Sequence, residues 1–235
     1  RFGTWKDTAI MVQGEAVRNF TLMFLEIWNV DEPQENYEKY LDASYCYGMT
    51  EGEGYVIPYG DSPLDHENVG ELVYMDILNS AKDYVYIFTP YLIIDNSISD
   101  SLKLAAASGV DVKIMIPGKG DHPFVYWANL VYAGDLIKEG IRVFHYDKNA
   151  FLHAKTVVID DEVCSIGTAN MDTRSFELNF EVSSFIYSEK IAKEQKYEFE
   201  NDMKKCEELT LEKYQNRSRI VKIKESLSRL FSDVL

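Results

Sequence analysis

HAKTVVIDDEVCSIGTANMDTRSFELNFE, residues 153–181, is the stretch on which the reading of the fold turns. Apolar runs at Ala154–Ile159 and Val163–Ile166 flank Asp160-Asp161-Glu162, the pattern of a β-hairpin. Successive side chains of a strand alternate faces, so His153, Lys155, Val157 and Ile159 share one side while Ala154, Thr156, Val158 and Asp160 share the other. His153 and Lys155 can therefore address one ligand. Asp160 is expected to orient or stabilise the turn rather than touch that ligand. A Gly167-Thr168-x-Asn170 turn and then Glu181 complete the cluster.

The hairpin comes late in a regular alternation. Trp5–Val12 has strand composition, and Glu15–Trp28 carries Val17, Phe20, Phe24, Ile27 and Trp28 at helical spacing. Residues 31–54 are rich in Tyr, Glu and Gly and read as a connector, with a domain boundary near residue 51. Beyond it, strands at Tyr55–Pro58, Tyr84–Thr89, Asp111–Ile116 and Arg142–Tyr146 alternate with helices at Val69–Ala81, Ile98–Ser108 and Pro123–Glu139. After the hairpin come a strand at Asn179–Tyr187 and helices at Glu189–Lys205 and Leu211–Phe231. This order implies an α/β layer structure whose sheet the hairpin makes mixed. One internal echo stands out: Asp7 precedes Gly14-Glu15 by the same spacing as Glu181 precedes Ser188-Glu189. The chain thus reads as the tail of one repeat followed by a complete second one. It opens at Arg1 within strand-like composition, and is read as a piece of something longer.

Composition narrows the partners. With 24 basic and 39 acidic residues among 235, the net charge is −15, which disfavours nucleic acid as a partner. Cys46, Cys164 and Cys206 are odd in number and widely spaced, so neither a disulfide framework nor a zinc site is indicated. No run of about 18 apolar residues occurs; the most apolar window, Phe20–Val30, is broken by Glu26 and Asn29.

The residues of the opening stretch suit chemistry on a phosphodiester. Imidazole, with an unperturbed pKa of roughly 6.5, serves as nucleophile or proton shuttle. Lys155 supplies a compact positive charge for phosphate oxygens, and the Thr168 hydroxyl and Asn170 amide add donors. Glu181 can accept a ring N–H of a histidine and fix its tautomer. Nothing in the set resembles a metal cage, so no metal or other cofactor is expected and the lysine does the neutralising.

His153-x-Lys155-x4-Asp160-x6-Gly167-Thr168 matches the signature of the phospholipase D superfamily, in which two such motifs form one active site. Gly54-Tyr-Val-Ile-Pro58, Thr89-Pro90-Tyr91, Phe151-Leu-His-Ala-Lys-Thr156 and Arg174-Ser-Phe-x-Leu-Asn-Phe-Glu181 resemble the second half of bacterial cardiolipin synthases. Trp5-x-Asp7-Thr8 and Phe24-Leu25-x-x-Trp28 resemble the segment after the first motif in those enzymes, so the resemblance spans the chain. It implies a phospholipase D-like lobe, a mixed β-sheet flanked by helices on both faces, over residues 51–235. Residues 1–50 are then the remnant of the first lobe and its connector. Two phosphatidylglycerol molecules would give cardiolipin and glycerol through a phosphohistidine. His153 takes the general acid/base role, Lys155, Thr168 and Asn170 bind the substrate phosphate, Asp160 orients, and Glu181 orients a histidine.

Departures bear on that expectation. His66, His122 and His145 lack a Lys two residues on, so no first motif is present and the chain alone is expected to be inactive. Tyr59-Gly60-Asp61 stands where the resemblance leads one to expect Ser-Gly-Pro. The expected partners are a phospholipid, the amino-terminal lobe of the same protein and an anionic membrane surface. The parent is expected at the bacterial cell membrane with this lobe facing the cytoplasm, and the piece itself soluble. Rival readings are another phospholipase D-type activity (a phospholipid hydrolase or a dimeric nuclease) and a non-catalytic lipid-binding module. Near the end, Ile220, Ile223, Leu227, Leu230 and Val234 form one helical stripe among six basic residues and Glu225. That stripe is expected to dock on the protein's own core; the alternative is that the basic face meets lipid headgroups.

Overall fold

The computed structural model describes residues 3–31, 37–42, 52–64 and 66–232. Most of the 31–54 connector, with Cys46, lies outside them, as do Arg1 and Val234. In chain order the first elements are β1 (Thr4–Lys6), α1 (Ala16–Asp31), α2 (Glu38–Leu41), β2 (Tyr55–Asp61) and α3 (Val69–Ser80). Next come β3 (Tyr84–Phe88), β4 (Leu92–Ile93), α4 (Asn96–Ala107), β5 (Asp111–Ile116), α5 (Pro123–Lys138) and β6 (Arg142–His145). The motif region follows as β7 (Ala150–Leu152), β8 (Thr156–Ile159), β9 (Val163–Gly167), β10 (Met171–Asp172), α6 (Thr173–Glu177) and β11 (Glu181–Tyr187). Last are α7 (Glu189–Met203), β12 (Glu207–Glu208), α8 (Leu211–Gln215) and α9 (Arg219–Arg229).

Eight strands form one sheet in the order β12-β6-β5-β3-β8-β9-β11-β2. β3, β5 and β6 run parallel through helical crossovers, whereas β8, β9, β11 and β2 pair antiparallel. The sheet is mixed, with the hairpin joining its two halves. Every side chain of β3 is buried, as expected for a strand covered on both faces. Its alternation sorts the core: Val85 and Ile87 pack with Ile77, Leu78, Ile98, Leu102 and Leu136 of α3, α4 and α5. Tyr84, Tyr86 and Phe88 face the other way, against Ala192 and Phe199 of α7. None of the described helices is long and apolar enough to cross a membrane.

Four expectations change. The strand read at Trp5–Val12 is only three residues long, because β1 lies outside the main sheet and pairs with β7 alone. The strand read from Ala154 starts at Thr156, because the amides of His153 and Ala154 both donate to the Lys6 carbonyl instead of joining the ladder. The last helix is two, since Asn216 ends α8 and Ser218 caps α9 by accepting from the Val221 amide. The apolar stripe of α9 does not dock on the core. Glu225 and Ser228 are the buried side, Glu225 being paired with Arg217 at 2.6 Å, and Ile220, Ile223, Leu227 and Leu230 face outward.

Asp61 settles the Tyr59-Gly60-Asp61 departure structurally. These residues end β2, with Tyr59 hydrogen-bonded to Ser165 at 2.7 Å and Asp61 accepting the Gly70 amide at the start of α3.

Candidate active site

Three consecutive residues of β1 and its exit build one side of the site. The Trp5 ring lies against Phe151 and edge-on to His153, with centroids 4.9 and 5.1 Å apart. Lys6 anchors the strand to α7 through Glu198 and Asp202, both at 3.0 Å. Burial lowers the Lys6 pKa, but those two carboxylates more than offset it, and the net shift is upward. The Lys6 carbonyl holds the His153 and Ala154 amides at 2.8 and 3.0 Å. Asp7 then places Oδ2 2.8 Å from Nδ1 of His153. A carboxylate there assigns the proton to Nδ1, leaving Nε2 as the basic nitrogen.

Nε2 meets Lys155, whose Nζ lies 2.9 Å away and also donates to the His153 carbonyl at 2.6 Å. Lys155 is 8% exposed. Burial pulls its pKa down to about 8, against the upward pull of Asp7, Glu181 and Asp172. At neutral pH the ammonium is still the main form. His153, Lys155, Asp7, Tyr91, Thr168 and Asn170 line an open cleft of about 570 Å³. That cleft adjoins an apolar groove of about 390 Å³ past Ile10, Val12, Phe20 and Ile166. On its other side a more polar cavity of about 510 Å³ runs past His122, Asp172, Arg174 and Asn179.

The remaining sequence-predicted residues divide. Thr168 stands at the cleft wall; its hydroxyl accepts the Val182 amide at 2.9 Å and donates to Glu181. Glu181 is buried behind it, takes the Asn179 amide at 3.0 Å and does not hold His153. The tautomer-fixing acid of His153 is Asp7. Asn170 reaches the cleft with its Nδ2 donating to Ser175 at 3.1 Å, while its Oδ1 is buried with no partner among the described residues. Asp160 is away from the cleft. At φ +54° it forms, with Asp161 at +58°, the tight β8–β9 turn, and its carboxylate accepts the amides of Lys82, Asp83 and Tyr84 at 2.7, 2.9 and 3.0 Å. It therefore ties the hairpin to β3.

Asp7 was marked in the sequence by its echo of Glu181 and by the Trp5-x-Asp7-Thr8 resemblance, and neither signal assigned it to His153. Tyr91 lines the cleft because Thr89-Pro90-Tyr91 is clamped: Thr89 donates to the Tyr91 carbonyl, Asn129 bonds Pro90 and Leu92, and the Tyr91 hydroxyl bonds Asp121. Cys164, buried in the hairpin with its pKa pushed up to about 12 by burial, is an inert core residue. His145 is half-buried elsewhere and held neutral, its pKa lowered to about 4 by that burial.

Comparison with known proteins adds the following. Residues 74–203 match the family described as cardiolipin synthase, phospholipase D-like domain. The chain is 46% identical over its full length to cardiolipin synthase 2 of Staphylococcus epidermidis, but covers 48% of that protein. It is similarly 45% identical to a cardiolipin synthase of Staphylococcus aureus, of which it covers 47%, so it spans about half the length of the curated relatives it matches. Among solved structures, phosphatidylserine synthase from Haemophilus influenzae superposes with a TM-score of 0.61 at 15% identity, over 76% of this chain and 45% of that one. Nuc of Salmonella typhimurium, a phospholipase D family member, gives 0.56 at 20% identity, over 67% of this chain and 99% of that one. These two likenesses are of fold.

Proposed function

We propose a phosphatidyl-transfer function from one premise: the chain belongs to the phospholipase D-like domain family of cardiolipin synthases. It acts as the second catalytic lobe of a two-lobed enzyme that joins two phosphatidylglycerol molecules into cardiolipin and releases glycerol. Residues 51–235 are that lobe, and residues 1–50 carry the end of the first lobe and the connector. In support, β1 stands outside the eight-stranded sheet, and the phosphatidylserine synthase chain that shares the fold is covered only to 45%.

The reading is carried by one observation: an imidazole held at Nδ1 by Asp7 presents Nε2 beside a buried ammonium. A histidine from the companion lobe attacks phosphorus and the bond to the glycerol headgroup breaks. His153, protonated, gives its Nε2 proton to the departing glycerol oxygen, and Asp7 stabilises the imidazolium. His153 then takes the proton from a headgroup hydroxyl of a second phosphatidylglycerol, which displaces the companion histidine. Lys155 stabilises the charge on the phosphate oxygens through both steps, with Thr168 and Asn170 beside it. Glu181, not engaged with His153, orients the companion histidine. Asp160 supports the hairpin on which the site is built. An apolar groove on one side of the cleft and a polar cavity on the other suit a lipid with a hydrophilic head. The substrate being a lipid, the enzyme works at an anionic bilayer, on the cytoplasmic face of a bacterial membrane as the resemblance implies.

The test is labelled phosphatidylglycerol supplied to the chain alone, to the two-lobed protein and to its His153→Ala variant. Cardiolipin is expected only from the intact two-lobed protein. Turnover surviving His153→Ala would remove the catalytic assignment, and DNA cleavage by the chain alone would favour a dimeric nuclease.

A further inference from the structure

Amphipathic helices of soluble proteins bury the apolar stripe and expose the polar one. α9 does the reverse. Its buried positions are Glu225 and Ser228, followed by Ser232. Glu225 meets Arg217 at 2.6 Å, Arg229 reaches Asp135 of α5 at 2.8 Å, and Lys224 lies over the Trp127 ring of α5 at 5.0 Å. These polar contacts fix the helix with its apolar side outward: Ile220 is 67% exposed, Ile223 59%, Leu227 50%, Leu230 77% and Phe231 54%. Five large apolar side chains in one exposed stripe require an occupant.

Charge identifies that occupant. The chain as a whole carries −15, yet α9 holds four basic residues, and its one acid is buried against Arg217. Arg219, Lys222 and Lys224 are exposed beside the stripe and have no carboxylate partner among the described ion pairs. An apolar stripe edged by cations fits the boundary between acyl chains and anionic headgroups. Location agrees. Trp127 lies one helical turn from Phe124, which is itself 59% exposed and borders the cavity that shares Tyr91 and Asn170 with the catalytic cleft.

We propose that α9 is an in-plane membrane-contact element: its Ile220–Phe231 stripe enters the interfacial layer of an anionic bilayer and its lysines and Arg219 meet the headgroups, bringing the cleft mouth to the lipid. The purpose of this contact rests on the phospholipid-transfer reading, but its existence does not.

The test measures co-sedimentation of this chain with vesicles of phosphatidylcholine containing about one-third phosphatidylglycerol, and with pure phosphatidylcholine. The wild-type chain is expected to bind the anionic vesicles. Ile223→Glu/Leu227→Glu, at exposed positions, should weaken partitioning at least about tenfold with an unchanged melting temperature. Arg219→Ser/Lys222→Ser should lose most of the preference for phosphatidylglycerol and its salt sensitivity. Equal partitioning of wild type and the apolar variant would overturn the proposal. So would a wild-type dimer that becomes monomeric in that variant without vesicle binding, since a second copy would then cover the stripe. Without lipid, α9 amides markedly more protected from exchange in the two-lobed protein than in this chain alone would assign the stripe to the companion lobe and overturn the proposal equally. Vesicle binding through α9 in a protein that makes no cardiolipin would refute the proposed reaction and leave the contact surface standing.

Discussion

Asp7→Asn isolates the contact on which the site depends. The substitution keeps shape and removes the charge 2.8 Å from Nδ1 of His153. Two unit charges about 4 Å apart interact by about 1 kcal/mol in water and about 4 kcal/mol at the effective dielectric of a protein surface. The His153 and Asp7 side chains are 37% and 56% exposed, which places the loss between these limits, about 2–3 kcal/mol of imidazolium stabilisation. At 1.36 kcal/mol per factor of ten, that is roughly a 30- to 150-fold fall in kcat. KM should move little, because Lys155, Thr168 and Asn170 keep their places. The amide also permits the other tautomer, which would aim an N–H from Nε2 at the Lys155 ammonium. The assay is cardiolipin formation by the two-lobed enzyme in mixed micelles, with histidine ¹⁵N spectra of this chain to read the tautomer. Adding Asp7→Asn to His153→Ala should cost nothing further, since the acid acts through that ring. A folded Asp7→Asn enzyme within threefold of wild type, or a double variant much worse than His153→Ala alone, would show that Asp7 does not act through the His153 ring.

Other outcomes follow from the same geometry. kcat/KM should fall as pH rises through about 8, because Lys155 then loses the ammonium that faces phosphate; a profile flat to pH 10 would contradict this. Burial penalises that ammonium in the folded chain, so the same lysine should make unfolding free energy rise between about pH 8 and its unfolded value near 10.4, read by denaturant titration. Asp160→Ala should cost about 2–3 kcal/mol, or on the order of 5–10 °C in melting temperature, by removing three hydrogen bonds to backbone amides at the hairpin. Activity per folded molecule should persist in that variant, whereas a dead but stable protein would return Asp160 to the chemistry. Glu181→Gln should leave the His153 tautomer unchanged in this chain while lowering turnover at least about tenfold in the two-lobed enzyme.

Legibility in the sequence followed periodicity. β5 runs over the residues expected for it, and α3 and α5 end within a residue of expectation, because each has several turns or pleats of consistent pattern. β4, β10 and β12 are two residues each, too short to carry a period. Parity paired His153 with Lys155, but the reason for their closeness is not strand pleating: both lie in the gap between β7 and β8, where the Lys6 carbonyl holds the His153 and Ala154 amides and Lys155 Nζ reaches back to His153. That contact joins residues nearly 150 positions apart, so no local signal encodes it. The α9 stripe shows the complementary limit. Spacing located its apolar face, but which face turns inward was decided by Arg217, Asp135 and Trp127, partners outside the helix.

The charges around the cleft argue for a second source of cations. Asp7 follows β1 and lines the cleft with Thr168, and Glu181 opens β11 and accepts from Thr168, yet the described site contains one imidazole, and Asp7 already holds it. Glu181 has Thr168 and Asn179 as donors and no ion pair among the described residues, and Asp172 stands near enough for both carboxylates to act at a distance on the Lys155 ammonium. Burial pushes the Asp172 pKa upward, with Glu181 adding to it, as expected where acids outnumber bases in a low-dielectric wall. A phosphodiester is itself an anion. Entering a cleft that offers it one ammonium against Asp7 and Glu181 would set like charges together without compensation. A second histidine and lysine, brought by a companion lobe to the Glu181 side, would pair the idle carboxylate and supply the missing charge in one step. On this reasoning the isolated chain should bind inorganic phosphate weakly, and Glu181→Gln should tighten that binding by removing a repelling charge. Weaker binding in the variant would mean that Glu181 already serves a cation within this chain, and the argument for a companion histidine beside it would fail.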